Sequence, residues 1–155
     1  MIKAQKFLFW EMALVSFRDS SLYKNDLDAI KHGWLTSNAI DFFFCLLGEK
    51  HEERMKQCVL VSPATVFLVL MSSSVEDASE MVESLGFAVA KFVLFPLNDQ
   101  STMTSSNGTH WSLLVFDRGA NAFIHYDSMR GNNKKVAIEA FGWKSACSSV
   151  CSNLC

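Results

Sequence analysis

Between Gly108 and Ser128 the chain reads GTHWSLLVFDRGANAFIHYDS, and this stretch restricts the fold more than any other. Trp111 to Phe116 is rich in apolar, strand-favouring residues, Asp117-Arg118-Gly119-Ala120 has turn chemistry, and Phe123 to Tyr126 resumes a strand. The pattern predicts a β-hairpin. With Asp117 to Ala120 as the loop, Phe116 faces Asn121, and counting back sets His110 directly opposite Asp127. Opposed residues share a face, with Cβ atoms about 5 Å apart. A carboxylate placed there can fix the tautomer of the imidazole and stabilise its charged form, which is the orienting half of a Ser-His-Asp or Cys-His-Asp device. A slip of one residue would send the two to opposite faces. Two readings stand at this level, a catalytic pair and a surface ion pair. His125 is read as structural.

The rest of the chain narrows the setting. Its 155 residues are one domain's worth and show no internal repeat. The net charge is -2 and no Lys/Arg cluster exceeds Lys134-Lys135, which argues against a nucleic-acid or polybasic membrane surface and for a protein or small-molecule partner. Hydrophobic residues make up 50% and charged ones 19%, an apolar balance, yet no uninterrupted apolar run is longer than Val66 to Met71. That is far short of the roughly 18 residues a membrane-spanning helix needs, so no span is expected. At the N-terminus two lysines precede apolar residues, but Glu11 interrupts the run and no small-residue cleavage site follows, so no secretion signal is read. The five cysteines are then expected to be reduced thiols of the cytoplasm or nucleus, and the sequon Asn107-Gly108-Thr109 to carry no glycan.

Organisation follows from local signals. Ser16 to Trp34 is mostly polar with scattered apolar anchors. Thr36 or Ser37 can cap a helix whose apolar face is Ile40, Phe43, Phe44 and Leu47, with Gly48 ending it and Glu49 to Gln57 forming a solvated helix end or loop. Ser62-Pro63 opens an apolar helix through about Met71, and Ser74 can cap another that stops at Gly86. Phe87 to Leu97 reads as a buried strand, and Asp99 to Thr109 as a Ser/Thr/Asn-rich loop leading to His110. After the hairpin, Asn132 or Asn133 can cap a helix from Lys134 to about Phe141. Helices, then strands, then a helix give an α+β class.

The set Leu97-Asn98-Asp99, then Gly108 to Val115, then Phe123-x-His125-Tyr126-Asp127-Ser128 resembles the sentrin-specific, Ulp-type cysteine proteases, most closely their deneddylase branch. Upstream, Asn25-Asp26-Leu27 followed by Trp34-Leu35 and Ile40 is similar to the family's segment in which an aspartate-leucine pair precedes a helix start. The resemblance covers 15–141, leaving 1–14 as an extension and 142–155 as an unrelated Cys/Ser-rich tail. It implies a truncated Ulp-type domain whose full-length relatives cut after the Gly-Gly tail of a ubiquitin-like modifier, here of Nedd type, and it implies no cofactor or metal. His110 would be the general base, Asp127 its orienter, and Trp111 the cover of the narrow slot for the diglycine. Trp34 and the Asn98-Asp99 loop would belong to the modifier-binding surface. A Cys-His pair supplies a thiolate near neutral pH, and a tight aromatic clamp admits only glycine at the scissile end.

The departures concern the third triad member. The family's nucleophile sits in an Asp/Asn-Cys-Gly step with a Gln shortly before it for the oxyanion hole, and these 155 residues contain no Cys followed by Gly and no Gln after Gln100. Cys147, Cys151 and Cys155 would line up on a helix but match neither a zinc site nor a nucleophile, and Ser112 and Ser128 sit in no Gly-x-Ser-x-Gly elbow. The expectation is that the C-terminal part of the domain, with its nucleophile, is missing and the chain is inactive. Thr36-Ser37 also stands where the family has an Asn-Asp pair, which would weaken modifier binding, and the loop before His110 is about a residue long. The resemblance leaves open a deneddylase whose longer sibling is active, a non-catalytic binder of the modifier, a SUMO-type protease fragment, and an unstable fragment with part of its core bared.

Overall fold

A computed structural model describes residues 12–72, 74, 77, 81, 85–87, 89–99 and 108–142, and the chain divides into two compact units between Glu52 and Glu53. The elements in order are β1 (Val15–Phe17), β2 (Ser20–Leu22), α1 (Lys24–His32), α2 (Ser37–Lys50), α3 (Glu52–Met55), β3 (Cys58–Leu60), α4 (Pro63–Leu70), β4 (Phe92–Asn98), β5 (Trp111–Asp117), β6 (Ala122–Tyr126) and α5 (Lys134–Gly142). The class is α+β, as the sequence predicts.

In the N-terminal unit β1 and β2 form an antiparallel hairpin, and Leu22, Ala39 and Phe42 make a small core with Phe17 and Leu27. Asp26 ties α1 to α2 while almost completely buried. One carboxylate oxygen accepts the Tyr23 N–H at 2.8 Å and the other accepts the Thr36 hydroxyl at 2.6 Å. Thr36 in turn caps α2 by accepting the Ala39 N–H at 3.1 Å. Two expectations for α2 are corrected. Gly48 does not end the helix, which runs on to Lys50; the glycine keeps a helical backbone, and its weak helix propensity is tolerated within a helix of this length. The buried side is Ala39 and Phe42, with Ile40, Phe44 and Leu47 half-buried and Phe43 exposed, because the core offered by Leu22 and Leu27 lies about a residue's turn from the expected stripe.

In the second unit the sheet order is β3-β4-β5-β6, with β3 and β4 parallel and the other pairs antiparallel. The parallel pair requires a crossover, of which α4 is a part. Ser62 caps α4 by accepting the Ala64 N–H, and Pro63 takes the first turn, as the sequence predicts. Val61, Val66, Val93, Phe95, Leu97, Leu114, Ala137 and Ala140 form one core, so α5 lays its alanines over the face of the sheet that also carries Phe116 and Phe123. Pro96 sits in the interior strand β4 without breaking the sheet. β3 has ended opposite Leu94, so no ladder donor is needed on that side.

The strand expected from Phe87 begins only at Phe92. Phe87 and Val89 lie in turns instead, and the Arg118 guanidinium crosses over to donate to the carbonyls of Phe87 and Ala90, the latter at 2.7 Å. The helix expected from Ser74 to Gly86 falls largely outside the described residues. Within them, Ser74 Oγ accepts the Asp77 N–H and Gly86 has φ +72°.

The hairpin register is also corrected. Phe116 pairs with Phe123 rather than Asn121, because the loop is Arg118 to Asn121, closed by Asn121 in the left-handed region at φ 48°. The shift is two residues, so parity is kept: His110 and Asp127 remain on one face, related diagonally instead of directly opposed.

Candidate active site

His110 immediately precedes β5 and Asp127 immediately follows β6. Their side chains meet with His110 Nε2 and Asp127 Oδ1 2.6 Å apart, and only 8% and 4% of the two side chains is exposed. The pair is therefore buried and does not lie on the surface. Asp127 Oδ1 also accepts the Met129 N–H at 2.8 Å, and Oδ2 accepts the Asn133 N–H at 3.0 Å. Burial pushes this carboxyl's pKa up, but the Asn133 N–H, the His110 ring and the Met129 N–H outweigh it and hold the pKa at about 2. A charged Asp127 calls for a donor on Nε2, and a neutral ring with its proton there presents Nδ1 as the acceptor. Among the described residues nothing bonds to Nδ1. That nitrogen is where a thiol proton can be received.

The approach to His110 is built by the end of β4. Asp99, just past that strand, accepts the Thr109 N–H, the Thr109 hydroxyl and, at 3.0 Å, the His110 N–H. Burial raises the Asp99 pKa, and the Thr109 hydroxyl and the His110 and Thr109 N–H groups together bring it below the usual carboxylate range. The two ends of the loop are thereby stapled together, while its residues 100–107 lie outside the described part. Gly108 is compelled by the same staple, since a Cβ there would stand 1.6 Å from Asn98 Oδ1 and 2.5 Å from Asp99 Oδ1. Trp111, half-buried, pairs with Asn98 across the ladder, which sets the indole-bearing residue next to His110 and beside the end of β4.

Asn98, Asp99, His110, Trp111 and Asp127 thus belong to one constellation in the second unit, whereas Trp34 belongs to the N-terminal unit, where it is 60% exposed. Cys147, Cys151 and Cys155 lie outside the described residues. His125 Nε2 lies 3.0 Å from Ser112 Oγ, part of a polar chain that continues to Asn133. From the sequence Asn133 is only one of two candidate helix caps, beside Asn132. Its backbone does occupy the cap position, its C=O accepting the Ala137 N–H, but its side chain is turned inward and makes no cap. A mostly apolar groove of about 400 Å³ opens between β6 and α5 beside Asp127. Neither His110 nor Trp111 lines it, so it is distinct from a slot covered by Trp111. No three His, Cys, Asp or Glu side chains among the described residues converge as a metal would require, and no helix among them is long and apolar enough to cross a membrane.

Residues 33–155 match the C-terminal catalytic domain of the Ulp1 protease family. The chain is 34% identical to a probable sentrin-specific protease 8 of Dictyostelium discoideum over 81% of its own length and 54% of the relative's. It is 28% identical to NEDD8-specific protease 1 of Arabidopsis thaliana, covering 83% and 57%, and 29% identical to sentrin-specific protease 8 of Homo sapiens, covering 83% and 64%. It therefore spans little more than half to just under two thirds of the length of these curated relatives.

Proposed function

Because the chain belongs to the Ulp1 protease family, we propose that it carries the base and the orienter of a cysteine-protease triad directed at a ubiquitin-like modifier of NEDD8 type. The single observation that supports this most is the buried 2.6 Å contact between His110 and Asp127, with Nδ1 left to face a nucleophile. In the completed device a cysteine thiol gives its proton to Nδ1, the thiolate attacks the terminal glycine carbonyl of the modifier, and the imidazolium returns the proton to the leaving amine. Asp127 stays charged throughout and stabilises the imidazolium. The NEDD8 type rests on the deneddylase-like motif around His110 and on the similarity to the NEDD8-specific proteases of Arabidopsis and fission yeast.

No Asp/Asn-Cys-Gly step occurs within the 155 residues, so on this reading the chain holds the modifier without cutting it. Trp111, Asn98 and Asp99 would meet the modifier's tail, and Trp34 its body. Titration of the purified chain with a NEDD8-type modifier tests this. Saturable binding is expected, weakened about tenfold or more by Trp111→Ala and abolished when the modifier lacks its C-terminal diglycine. Equal binding of the tailless modifier would contradict the assignment of Trp111, and tighter binding of a SUMO-type modifier would move the chain to that branch.

A further inference from the structure

Neither His110 nor Asp127 lies within the ladder, so strand pairing fixes neither backbone. His110 is held at its N–H by Asp99 and at its C=O by Asn133 Nδ2, 3.1 Å away. Asp127 is held at Oδ2 by the Asn133 backbone N–H at 3.0 Å. Asn133 is the one residue, among those described, bonded to both members of the pair. It is fully buried, and its Nδ2 also reaches the Leu97 carbonyl at 3.2 Å and Ser112 Oγ at 3.0 Å. Rotating the amide would set its oxygen against two carbonyl oxygens, so the orientation is dictated by the surrounding acceptors. Its Oδ1 is buried without a partner among the described residues, a penalty accepted for the sake of the donor.

We propose that Asn133 is a positioning residue for the His-Asp pair: its side chain locks the His110 backbone to β4 through Leu97, while its backbone N–H locks the Asp127 carboxylate, and together they set the Nε2 to Oδ1 distance. The idea rests on the reading of His110 and Asp127 as base and orienter, but it concerns the geometry of the ring and not turnover, so it can fail while that reading stands.

The test uses the uniformly 15N-labelled 155-residue protein and the imidazole nitrogen signals of His110. The wild type is expected to show one Nε2–H tautomer with a low-field Nε2-bound proton. Asn133→Ala keeps the backbone bond to Asp127 and removes the side chain; loss of the low-field proton and averaging of the two ring nitrogens is the expected result. Val93→Ala, a cavity in the same core, lowers the melting temperature yet should leave the His110 signature intact. Retention of that signature in folded Asn133→Ala would overturn the proposal. Should that variant not fold, hydrogen exchange in the wild type decides. The Asn133 side-chain amide protons and the His110 Nε2 proton should exchange together in one opening event, and an Nε2 proton that exchanges independently and faster would overturn it.

Discussion

At the scale of the residue, Asp127 makes the clearest statement about charge. Its pKa is about 2 in the folded chain against an ordinary 3.8, so the folded state binds the proton less readily than the unfolded one. The stabilisation this carries is present above the unfolded pKa and lost as pH falls through the folded one. Thermal melts of the wild type and Asp127→Asn should accordingly differ most above pH 4 and converge toward pH 2; a gap that stays constant with pH would contradict the assignment. Gly108 makes a steric statement. Gly108→Ala should lower stability by about 1–3 kcal/mol in urea unfolding, because the new Cβ meets the Asn98 and Asp99 side chains that staple the loop. His110 and Asp127 were legible in the sequence because a two-residue error in register preserves parity. Asn133 was not, since its bonds run to Leu97 and His110, far away in the chain, and an Asn before a helix has an ordinary local explanation as a cap.

At the scale of the element, local signals carried the second unit further than the first. Ser62-Pro63 and the two hairpin strands follow from capping and β-propensity alone. β1, β2 and α1 did not stand out, because two strands of three residues and a nine-residue helix with few apolar positions give little periodicity to read. Their order comes instead from Asp26, a buried carboxylate whose partners Tyr23 and Thr36 lie on either side of α1. Thr36→Ala should therefore lower the unfolding free energy by about 1–2 kcal/mol, the loss of a helix cap together with a donor to Asp26, while Thr36→Ser should restore most of it. Equal losses in both variants would mean that the Thr36 methyl, and not its hydroxyl, matters. Within the Thr36-Ser37 pair that stands where the family has Asn-Asp, the structure gives the threonine this cap and this link to Asp26.

At the scale of the whole molecule, the sheet and the helix α5 assemble the His-Asp pair, and the family match includes the tail, which lies outside the described residues. The resemblance around His110 and Asp127 revealed the family because the motif is compact in sequence; modifier specificity is less legible, since it depends on surfaces drawn from separated segments. On the proposed reading these 155 residues hold two members of a cysteine-protease triad and not the third. Losing a nucleophile lowers turnover on the order of 10⁶-fold, which an intact His-Asp pair does not offset. The most direct measurement is to incubate the chain with a NEDD8-type modifier carrying a thiol-reactive group at its C-terminus and to record intact masses, alongside a variant with Cys147, Cys151 and Cys155 changed to Ala. The expectation is no adduct with either protein. A stoichiometric adduct that forms on the native chain and disappears in the variant would show that the tail supplies a nucleophile, and would contradict it.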